Sequence, residues 1–549
     1  MKKILIPILG MTALLFFNSC SDDFLDVNKN VNEAYSNQVN PKDRLSAAET
    51  VVFRTQAITM NRFGNLMMNA WAGNIYYYAS PYGDEFKMRT DSQFYSNIWD
   101  NLYLGVSNLQ AIIDAPNSDQ YPHHVAVAKI MKAYYMQMIV DLYNDVPYSE
   151  AFKGQANKNP RYDKGKDVYK GLMAELNQAM TLISKNPAAN FSLAFTEDPI
   201  FTGTGDTQDV TSWKKFWTKM ANTVKLKMLV RLSKCTDSDV VAWRNAELQA
   251  MSSLTLNPAD NFVDKDIKIQ PGYNTASSEQ RNPFFSVYGR IDLDVSDISQ
   301  DFRLTFASDH IIKTLKGETS ETSGVQDKRI TRLFMNNGMA KGPSTSTNIL
   351  QMKGQVQGGG KIAGATEGDF ATLGNFLSFD GPTTATGTTA LASLPGYVLT
   401  LAEVRFLQAE AATVYPSTMM FNAQTSFNDG ITQSFTTFGV PSAATEAANY
   451  LAAIATKPGV GWNATANKIQ AIQYQKWIAL TNINPTETFI SYNKTGFPQL
   501  PMPIGAYYSS RPNRLMYPQS EYISNTANVP NPSIDQMYSV NNFSPFWMK

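Results

Sequence analysis

The sequence predicts a mainly α-helical fold, and three observations support this prediction. Long segments place apolar residues at three- and four-residue spacing, as one face of a helix requires. Runs of strict apolar–polar alternation are few, so we expect short and scattered strands. Between about residues 317 and 395 the composition shifts to Gly, Ser and Thr, which is typical of long loops. Pairs of such helices suggest a helical-repeat scaffold, although the sequence shows no clean repeat period.

The helical stripes recur along the chain. They are Ala47, Val51, Thr55 and Ile58; Ile130, Met131, Tyr134, Met138 and Leu142; Val168, Leu172, Leu176, Ala179 and Leu182; and Trp213, Phe216, Trp217, Met220, Val224 and Met228. Residues 124–143 are apolar on nearly every side, which predicts burial between other helices, with Lys129 and Lys132 facing solvent. Further helices are predicted over 397–412, 427–438 and 467–480. The tail from residue 500 is irregular but aromatic, so we expect it to pack on the body.

The N-terminus has the features of an export signal. Lys2 and Lys3 precede an apolar run over residues 4–17, and a small residue stands before Cys20. This order is typical of a secretory signal peptide. The run is shorter than the ~20 apolar residues that a bilayer-spanning helix needs. We therefore interpret residues 1–19 as a lipoprotein signal peptide that is removed.

Cys20 directly after the cleavage point is what bacterial lipoprotein processing requires. We interpret Cys20 as the lipidated first residue of the mature chain, residues 20–40 as a tether and residues 41–549 as the functional domain. More than one acyl chain would make such an anchor durable. The alternative is a plain signal peptide with a chance cysteine, because Phe17 and Asn18 depart from the usual lipobox.

Composition argues against several classes of function. Lys+Arg and Asp+Glu both number 47, whereas a nucleic-acid binder usually carries a basic excess. Only Cys20 and Cys235 are present, so no intramolecular disulfide can form once Cys20 is acylated. The three histidines, His123, His124 and His310, argue against a histidine-based metal site.

One loop raises the question of a bound ion. Residues 197–209 carry four carboxylates, and calcium prefers six to eight oxygen ligands that loops often supply. The spacing does not match an EF-hand, so a solvated loop is the simpler interpretation. We predict no cofactor and keep a structural calcium ion as a minor hypothesis.

Several short segments occur in an order that is typical of one protein family. They are residues 23–26 after Cys20; 132–134 with 141–148; 213–216 with Asn222 and 226–231; 401–404 with 409–411; 428–431 with Ser434; 475–477 with Glu487 and 495–498; and 517–518 with Glu521 and Asn525. Over most of its length the chain therefore resembles the SusD/RagB-type nutrient-binding outer-membrane lipoproteins of Bacteroidetes. Asn144 replaces a common glycine of the family, Phe489 a tryptophan, and Asn493-Lys494 an arginine pair.

The resemblance implies a fold and a function. The implied fold has tetratricopeptide-like helix pairs as scaffold and an irregular, loop-rich part beside them. The implied protein is anchored by lipid to the outer membrane, faces the cell exterior and acts with a SusC-like TonB-dependent transporter. It would bind an oligosaccharide, or less often a peptide, without catalysis. The acidic residues Asp22 and Asp23 after Cys20 are compatible with export to the outer face.

Residues 69–86 hold the best candidates for ligand contact. Gly73, Pro81 and Gly83 predict that much of this stretch is loop. The candidates are Trp71, Asn74, Tyr76, Tyr77, Tyr78, Tyr82 and Asp84, with Tyr288 as a further one. An aromatic plane suits the apolar face of a sugar ring, and hydroxyl, amide and carboxylate groups suit its polar rim. Three consecutive tyrosines point in different directions, so at least one should be exposed; the alternative is that these residues pack the loop onto the helices.

Two other classes of function remain open. A glycoside hydrolase would need two carboxylates, and Glu403 and Glu410 share one helix face. Their backbones are ~10.5 Å apart, against ~5–9.5 Å between glycosidase carboxyls, which favours a structural role. We interpret Asp141, Asp145 and Glu150 in the same way, as stabilisers of helix ends and turns. The second alternative is a helical-repeat scaffold that has only protein partners.

Overall fold

The computed structural model describes residues 39–290, 298–336, 348–378 and 390–549. Residues Pro41–Lys549 form one compact unit. Cys20, the predicted signal peptide and most of the predicted tether lie outside the described residues. Within the described ranges, every helix is either too short or too polar to cross a bilayer.

Helices make up most of the described chain, as predicted. They are α1 Pro41–Thr55, α2 Asn61–Met67, α3 Gly83–Lys87, α4 Ser96–Ile113, α5 Pro122–Tyr143, α6 Gly165–Ser184, α7 Pro199–Thr204, α8 Val210–Arg231, α9 Ser238–Met251, α10 Pro258–Asn261, α11 Pro283–Tyr288, α12 Gln300–Leu304, α13 Asp309–Lys316, α14 Ile330–Leu333, α15 Leu401–Val414, α16 Ala423–Thr437, α17 Ala443–Ile454, α18 Lys468–Leu480, α19 Pro485–Thr495 and α20 Gln519–Ser524. A π-helical turn, Gln56–Met60, joins α1 to α2.

The strands are short and scattered, as predicted. They are β1 Trp71–Gly73, β2 Val146–Pro147, β3 Tyr162–Asp163, β4 Ile267–Ile269, β5 Thr305–Ala307, β6 Phe334–Met335, β7 Thr372–Leu373 and β8 Gly396–Leu399. The largest sheet has the antiparallel order β1-β5-β7-β6. It brings the segment after α2 next to the segment after α12 and to part of the glycine-rich region, so it positions three loops that are far apart in sequence.

Several helices that follow one another in the chain pack side by side, and α1 also packs on α4 although α2 and α3 lie between them in sequence. The packed pairs are α1 with α4, α4 with α5, α5 with α6, α15 with α16, α16 with α17, and α18 with α19. The close approach of α2 to α19 depends on Gly64, because a Cβ atom there would lie 2.3 Å from the carbonyl carbon of Pro485. Trp213, Trp217 and Trp477 are buried, which confirms their prediction as core residues.

Helix α5 is buried on nearly every side, as its composition predicts. The prediction that Lys132 faces solvent is wrong, because α6 packs on this side and supplies Glu175, whose carboxylate lies 2.7 Å from the Lys132 ammonium group. The helix ends at Asn144, which has a φ of +68°. Asparagine tolerates positive φ better than most residues other than glycine, which explains how it can replace the family's usual glycine.

A network of buried charges joins α5, α8, α15, α18 and α19. Its members are Asp141, Glu403, Glu410 and Glu487 together with Lys227, Arg231, Lys476 and Lys494, all at most 5% exposed. Four carboxylates therefore face four cations. Since an unpaired charge is costly to bury, this balance is what allows the network to exist in the core.

Glu487 is the centre of that network. It forms ion pairs of 2.8 Å with each of Lys227, Arg231 and Lys476. Although burial alone would raise the pKa of Glu487, these cations hold that pKa well below its usual range. The carboxylate therefore stays ionised inside the scaffold.

The C-terminal tail packs on the body, as predicted. Trp547 is fully buried, and its indole Nε1 donates a hydrogen bond of 2.8 Å to Asp141 of α5. The hydroxyl of Tyr517 donates to the carbonyl oxygens of Tyr143 and Asp145 at the end of the same helix. These bonds satisfy backbone acceptors at the helix end that would otherwise lack a partner.

Candidate functional site

Trp71 and Tyr288 are enclosed in the core. The Trp71 indole donates a 2.7 Å hydrogen bond to Asn482, and its ring lies 5.0 Å from the ring of Tyr288 in an edge-to-face contact. Both side chains have no exposed surface. We therefore correct the prediction for these two residues: β1 and α11 carry them into the core, where no ligand reaches them.

Asn74 shapes the loop and is itself buried. Its side-chain oxygen accepts hydrogen bonds from the backbone N–H groups of Tyr76 and Tyr77, both at 3.1 Å. Its amide nitrogen donates to the carbonyl of Arg303 at 2.8 Å and to Glu367 at 3.3 Å. The side chain is thus fully used within the protein, so we correct its predicted role from ligand contact to positioning the tyrosines.

Tyr77 and Tyr78 present their rings to solvent, with 43% and 60% of their surfaces exposed. The guanidinium group of Arg303 lies 4.0 Å from the centre of the Tyr77 ring. Arg303 is in turn held by an ion pair of 3.0 Å with Glu367. We call Tyr77, Tyr78 and the supporting Arg303 the tyrosine platform. One face of the Tyr77 ring packs on the Arg303 guanidinium, which restricts the motion of the ring before a ligand binds. The ring therefore loses less conformational entropy on binding.

Tyr76 is half-buried and ties the loop to the glycine-rich region. Its ring lies 5.1 Å from that of Phe370, and its hydroxyl accepts a 2.9 Å hydrogen bond from the backbone N–H of Ile362. The Lys361 ammonium group lies 5.6 Å from the centre of the ring. Tyr76 can therefore offer at most part of its ring to a ligand.

Tyr82 and Asp84 lie where the loop runs into α3. The Tyr82 hydroxyl forms a 2.6 Å hydrogen bond with Thr305, and burial raises the pKa of this phenol. The Tyr82 side chain is half-buried, whereas Asp84 is exposed. Of the eight predicted ligand residues, Tyr77, Tyr78 and Asp84 thus have open access to solvent.

The residues that support the platform come from distant segments, and no local sequence pattern indicates them. Arg303 and Glu367 lie more than 200 residues further along the chain than Tyr77. Tyr507 is also from a distant segment and is 65% exposed, but its backbone N–H donates to Lys87 at the end of α3 and not to the platform. Pairing between β1 and β5 brings Arg303 to the tyrosine loop, and no local pattern reports such a long-range contact.

The proposed calcium loop uses its carboxylates elsewhere. Asp198 accepts hydrogen bonds from the indoles of Trp213 and Trp217, at 2.9 and 2.7 Å, and burial raises its pKa to about 6. Asp209 caps the start of α8, and Asp206 forms an ion pair with Lys265. Among the described residues no three His, Cys, Asp or Glu side chains converge as metal ligands. The minor hypothesis of calcium at this loop is therefore not supported by its geometry.

The carboxylates of the hydrolase hypothesis belong to the buried network. Glu403 forms an ion pair with Lys227, and Glu410 forms one with Lys494 and accepts a 2.7 Å hydrogen bond from Gln473. Each is 2% exposed. The structural interpretation is confirmed, since each carboxylate pairs with a buried lysine. Asp145 also has its predicted role, since it accepts from the backbone of Gly165 at the start of α6.

Comparison with known families gives a match over most of the chain. The SusD-like family model described as "Starch-binding associating with outer membrane" matches residues 33–518. This match confirms the resemblance that the ordered motifs indicate. A search of curated proteins finds no significant match.

Solved structures of the same family share the fold. A chitin-binding SusD homolog from Flavobacterium johnsoniae is 20% identical, with a TM-score of 0.65 over 92% of this chain and 98% of that one. SusD homologs from Bacteroides fragilis and Bacteroides uniformis are each 19% identical, with TM-scores of 0.62. They cover 93% and 90% of this chain and 100% and 95% of their own. These similarities confirm the predicted helical scaffold of tetratricopeptide-like type.

Proposed function

The chain belongs to the SusD-like family of proteins associated with the outer membrane, and we propose that it binds an oligosaccharide at the cell surface and delivers it to a SusC-like TonB-dependent transporter. In this proposal the protein contributes selective binding, and the transporter carries out the import. A peptide is the second ligand class.

The tyrosine platform is the observation that carries the proposal. Two neighbouring rings stand open to solvent on a loop that Asn74 and Tyr76 hold in place. Sugar rings have an apolar face that packs on an aromatic plane, while exposed polar groups such as Asp84 can bind the hydroxyls. A platform that is already ordered loses less entropy when it binds.

The proposed anchor is the lipid on Cys20. The family's association with the outer membrane supports this placement. Mass spectrometry of the mature N-terminus tests it: a diacylated or triacylated Cys20 is expected, and an unmodified first residue would contradict it. Co-purification of a TonB-dependent transporter from the native outer membrane tests the proposed partner.

We propose that the protein does not cleave its ligand. Glu403 and Glu410 are buried and neutralised by lysines, so they cannot act on a sugar in the solvent. The test is incubation with oligosaccharides followed by chromatography of the products. Intact ligand is expected, and shorter fragments would favour the hydrolase alternative.

Isothermal titration with a glycan panel tests ligand binding itself. The panel includes maltoheptaose and chitohexaose, because the family model is described as starch-binding and one structural relative as chitin-binding. It also includes oligogalacturonate and a mixture of tryptic peptides. Binding of at least one glycan supports the proposal. If nothing on the panel binds, the alternative of a scaffold with only protein partners is favoured.

A further inference from the structure

A cavity of about 520 Å³ lies beside α3. Most of its lining residues follow the tyrosine loop in the sequence, starting at Asp84. Its walls come from α2, α3, the connection to α4 and the first turn of α4. The lining residues include Arg62, Asp84, Glu85, Gln93, Phe94 and Tyr95. This volume falls in the ~300–1,000 Å³ range of ligand pockets. None of these residues belongs to the tyrosine platform or to the buried network, and only Asp84 is among the predicted ligand residues.

Arg62 is the most under-used donor in this cavity. Within the described parts of the chain, its guanidinium donates one hydrogen bond, of 3.4 Å, to Asp301. Its Nε atom is buried and has no hydrogen-bond partner there. A guanidinium carries five N–H donors in a fixed fork. The Arg62 side chain is 32% exposed, so the terminal N–H groups that do not donate to Asp301 are open to a ligand hydroxyl.

Glu85 and Tyr95 form the polar floor next to Arg62. The Tyr95 hydroxyl donates a 2.8 Å hydrogen bond to Glu85, and the Arg62 guanidinium lies 5.6 Å from the centre of the Tyr95 ring. Tyr95 and Phe94 pack on Phe63 in edge-to-face contacts. The donor, the acceptor and the aromatic wall are therefore held by the core rather than by a loose loop.

Backbone strain is concentrated around the same cavity. Tyr82, Met88 and Tyr95, which flank α3 and the start of α4, have φ values of +59°, +55° and +52°. A left-handed conformation is unfavourable for a residue other than glycine, because the Cβ atom comes too close to the backbone. Such strain persists where the surrounding packing fixes the backbone, and it frequently accompanies ligand sites.

The charges of the lining indicate the class of ligand. Arg89 pairs with Asp91 at 3.6 Å and Arg62 with Asp301. Among the described residues, neither Asp84 nor Glu85 forms an ion pair within 4.0 Å, so the carboxylates outnumber the cations in this lining. A uronic acid would bring a further negative charge to this surface. We propose that the cavity is a second carbohydrate subsite, which holds one neutral sugar residue through its hydroxyls on Arg62, Glu85 and Asp84. This inference rests on the proposed glycan-binding function.

Three variants of the mature chain without its lipid test the subsite by titration with maltoheptaose, chitohexaose and oligogalacturonate. Gln93→Trp places a bulky ring at the edge of the cavity. Asp84→Asn removes the charge of an exposed carboxylate. Arg62→Lys replaces the guanidinium group, with its five N–H donors, by an ammonium group. The matched controls are Asp119→Asn, at an exposed turn, and Arg161→Lys, in an exposed ion pair. Thermal unfolding of each variant shows whether the fold is kept.

We expect the three cavity variants to weaken binding of a neutral oligosaccharide at least fivefold, and the controls to stay within twofold. Wild-type protein should bind oligogalacturonate at least fivefold more weakly than the neutral glycan. Gln93→Trp keeps the test decisive if Arg62→Lys fails to fold, because it changes an exposed residue.

Two results would overturn the subsite, and they are distinguishable. If a neutral glycan binds and all folded cavity variants keep wild-type affinity, the subsite is wrong while the proposed function stands. Equal or tighter binding of oligogalacturonate would likewise contradict the neutral-sugar assignment. If no glycan binds at all, the proposed function fails and the subsite with it.

Discussion

The buried charge network and the tyrosine platform differ most in their exposure to solvent. In the network, the first region, the side chains are 2–4% exposed at Lys227, Arg231 and Glu487. In the platform, the second region, the exposure is 43% at Tyr77 and 60% at Tyr78. In the first region every charge has a partner inside the protein, and the ion pairs hold five helices together. In the second region Asn74 and Arg303 hold the loop in place, but the rings of Tyr77 and Tyr78 stay open to solvent in the part of the chain that the structure describes. Full internal pairing indicates a structural role, and ordered but unpaired surface indicates a role in binding.

The largest expected effect comes from breaking the buried network at Glu487. Glu487→Gln keeps the shape of the side chain but leaves Lys227, Arg231 and Lys476 with one negative charge fewer. Removing one partner of a buried ion pair costs about 3–5 kcal/mol. Urea unfolding should show a loss of this size.

Glu150→Gln is the matched control for that variant. Glu150 pairs with Arg161, whose side chain is 79% exposed. An exposed pair contributes little to stability because water screens it. If Glu487→Gln were no more destabilising than Glu150→Gln, the network would not have the structural role that we assign to it.

Trp71→Phe tests whether Trp71 contributes to the stability of the core or to ligand binding. The change removes the hydrogen bond to Asn482 and leaves a small cavity, so we expect a loss of about 2–3 kcal/mol in the free energy of unfolding. Glycan affinity of the folded protein should stay within twofold of wild type. A selective loss of affinity at unchanged stability would return Trp71 to the candidate ligand residues.

His310 gives the scaffold a pH dependence. Its ring lies 5.8 Å from Trp477, and burial lowers its pKa to about 4. Between pH 6.5 and 4 the unfolded chain therefore takes up a proton that the folded chain does not, so stability falls as the pH falls. From pH 7.5 to 5.0 we expect wild type to lose about 2 kcal/mol more than His310→Phe.

Unfolding titrations of both proteins at the two pH values check this prediction. Phenylalanine keeps a ring against Trp477 but cannot titrate, so the difference between the proteins isolates the histidine. Equal pH dependence of the two would show that His310 titrates normally in the folded state.

Tyr78→Ala should have the smallest effect on the free energy of unfolding. Because the ring is exposed, the free energy of unfolding should change by less than about 0.5 kcal/mol. Loss of one stacking surface should weaken glycan binding about fivefold, which corresponds to about 1 kcal/mol. Titration and unfolding of the same sample show both effects; a large loss of stability would mean that Tyr78 packs the loop instead.

The scaffold could be predicted from the sequence because its signals are local and repeated. Apolar spacing predicts α5 and α8, and the ordered motifs that indicate the family coincide with the buried network at Asp141, Arg231 and Glu487. A motif that serves the core identifies the family but carries no information about the ligand. The fold and the family were therefore accessible, whereas the ligand was not.

The candidate site could be predicted only in part. The side chains of three adjacent tyrosines point in different directions, which correctly predicts that some of them are exposed. Trp71 was misjudged because a loop composition does not reveal that β1 turns its ring into the core. Arg303 and Glu367 could not be found because pairing between distant segments, rather than local sequence, brings them to the loop.

Titration of the double variant Tyr77→Ala/Tyr78→Ala with the glycan that wild type binds tests the central claim most directly. Its thermal unfolding midpoint serves as the check on folding. We expect a loss of affinity of at least tenfold at an unchanged midpoint. Wild-type affinity in a folded double variant would contradict the assignment of the tyrosine platform as the ligand surface.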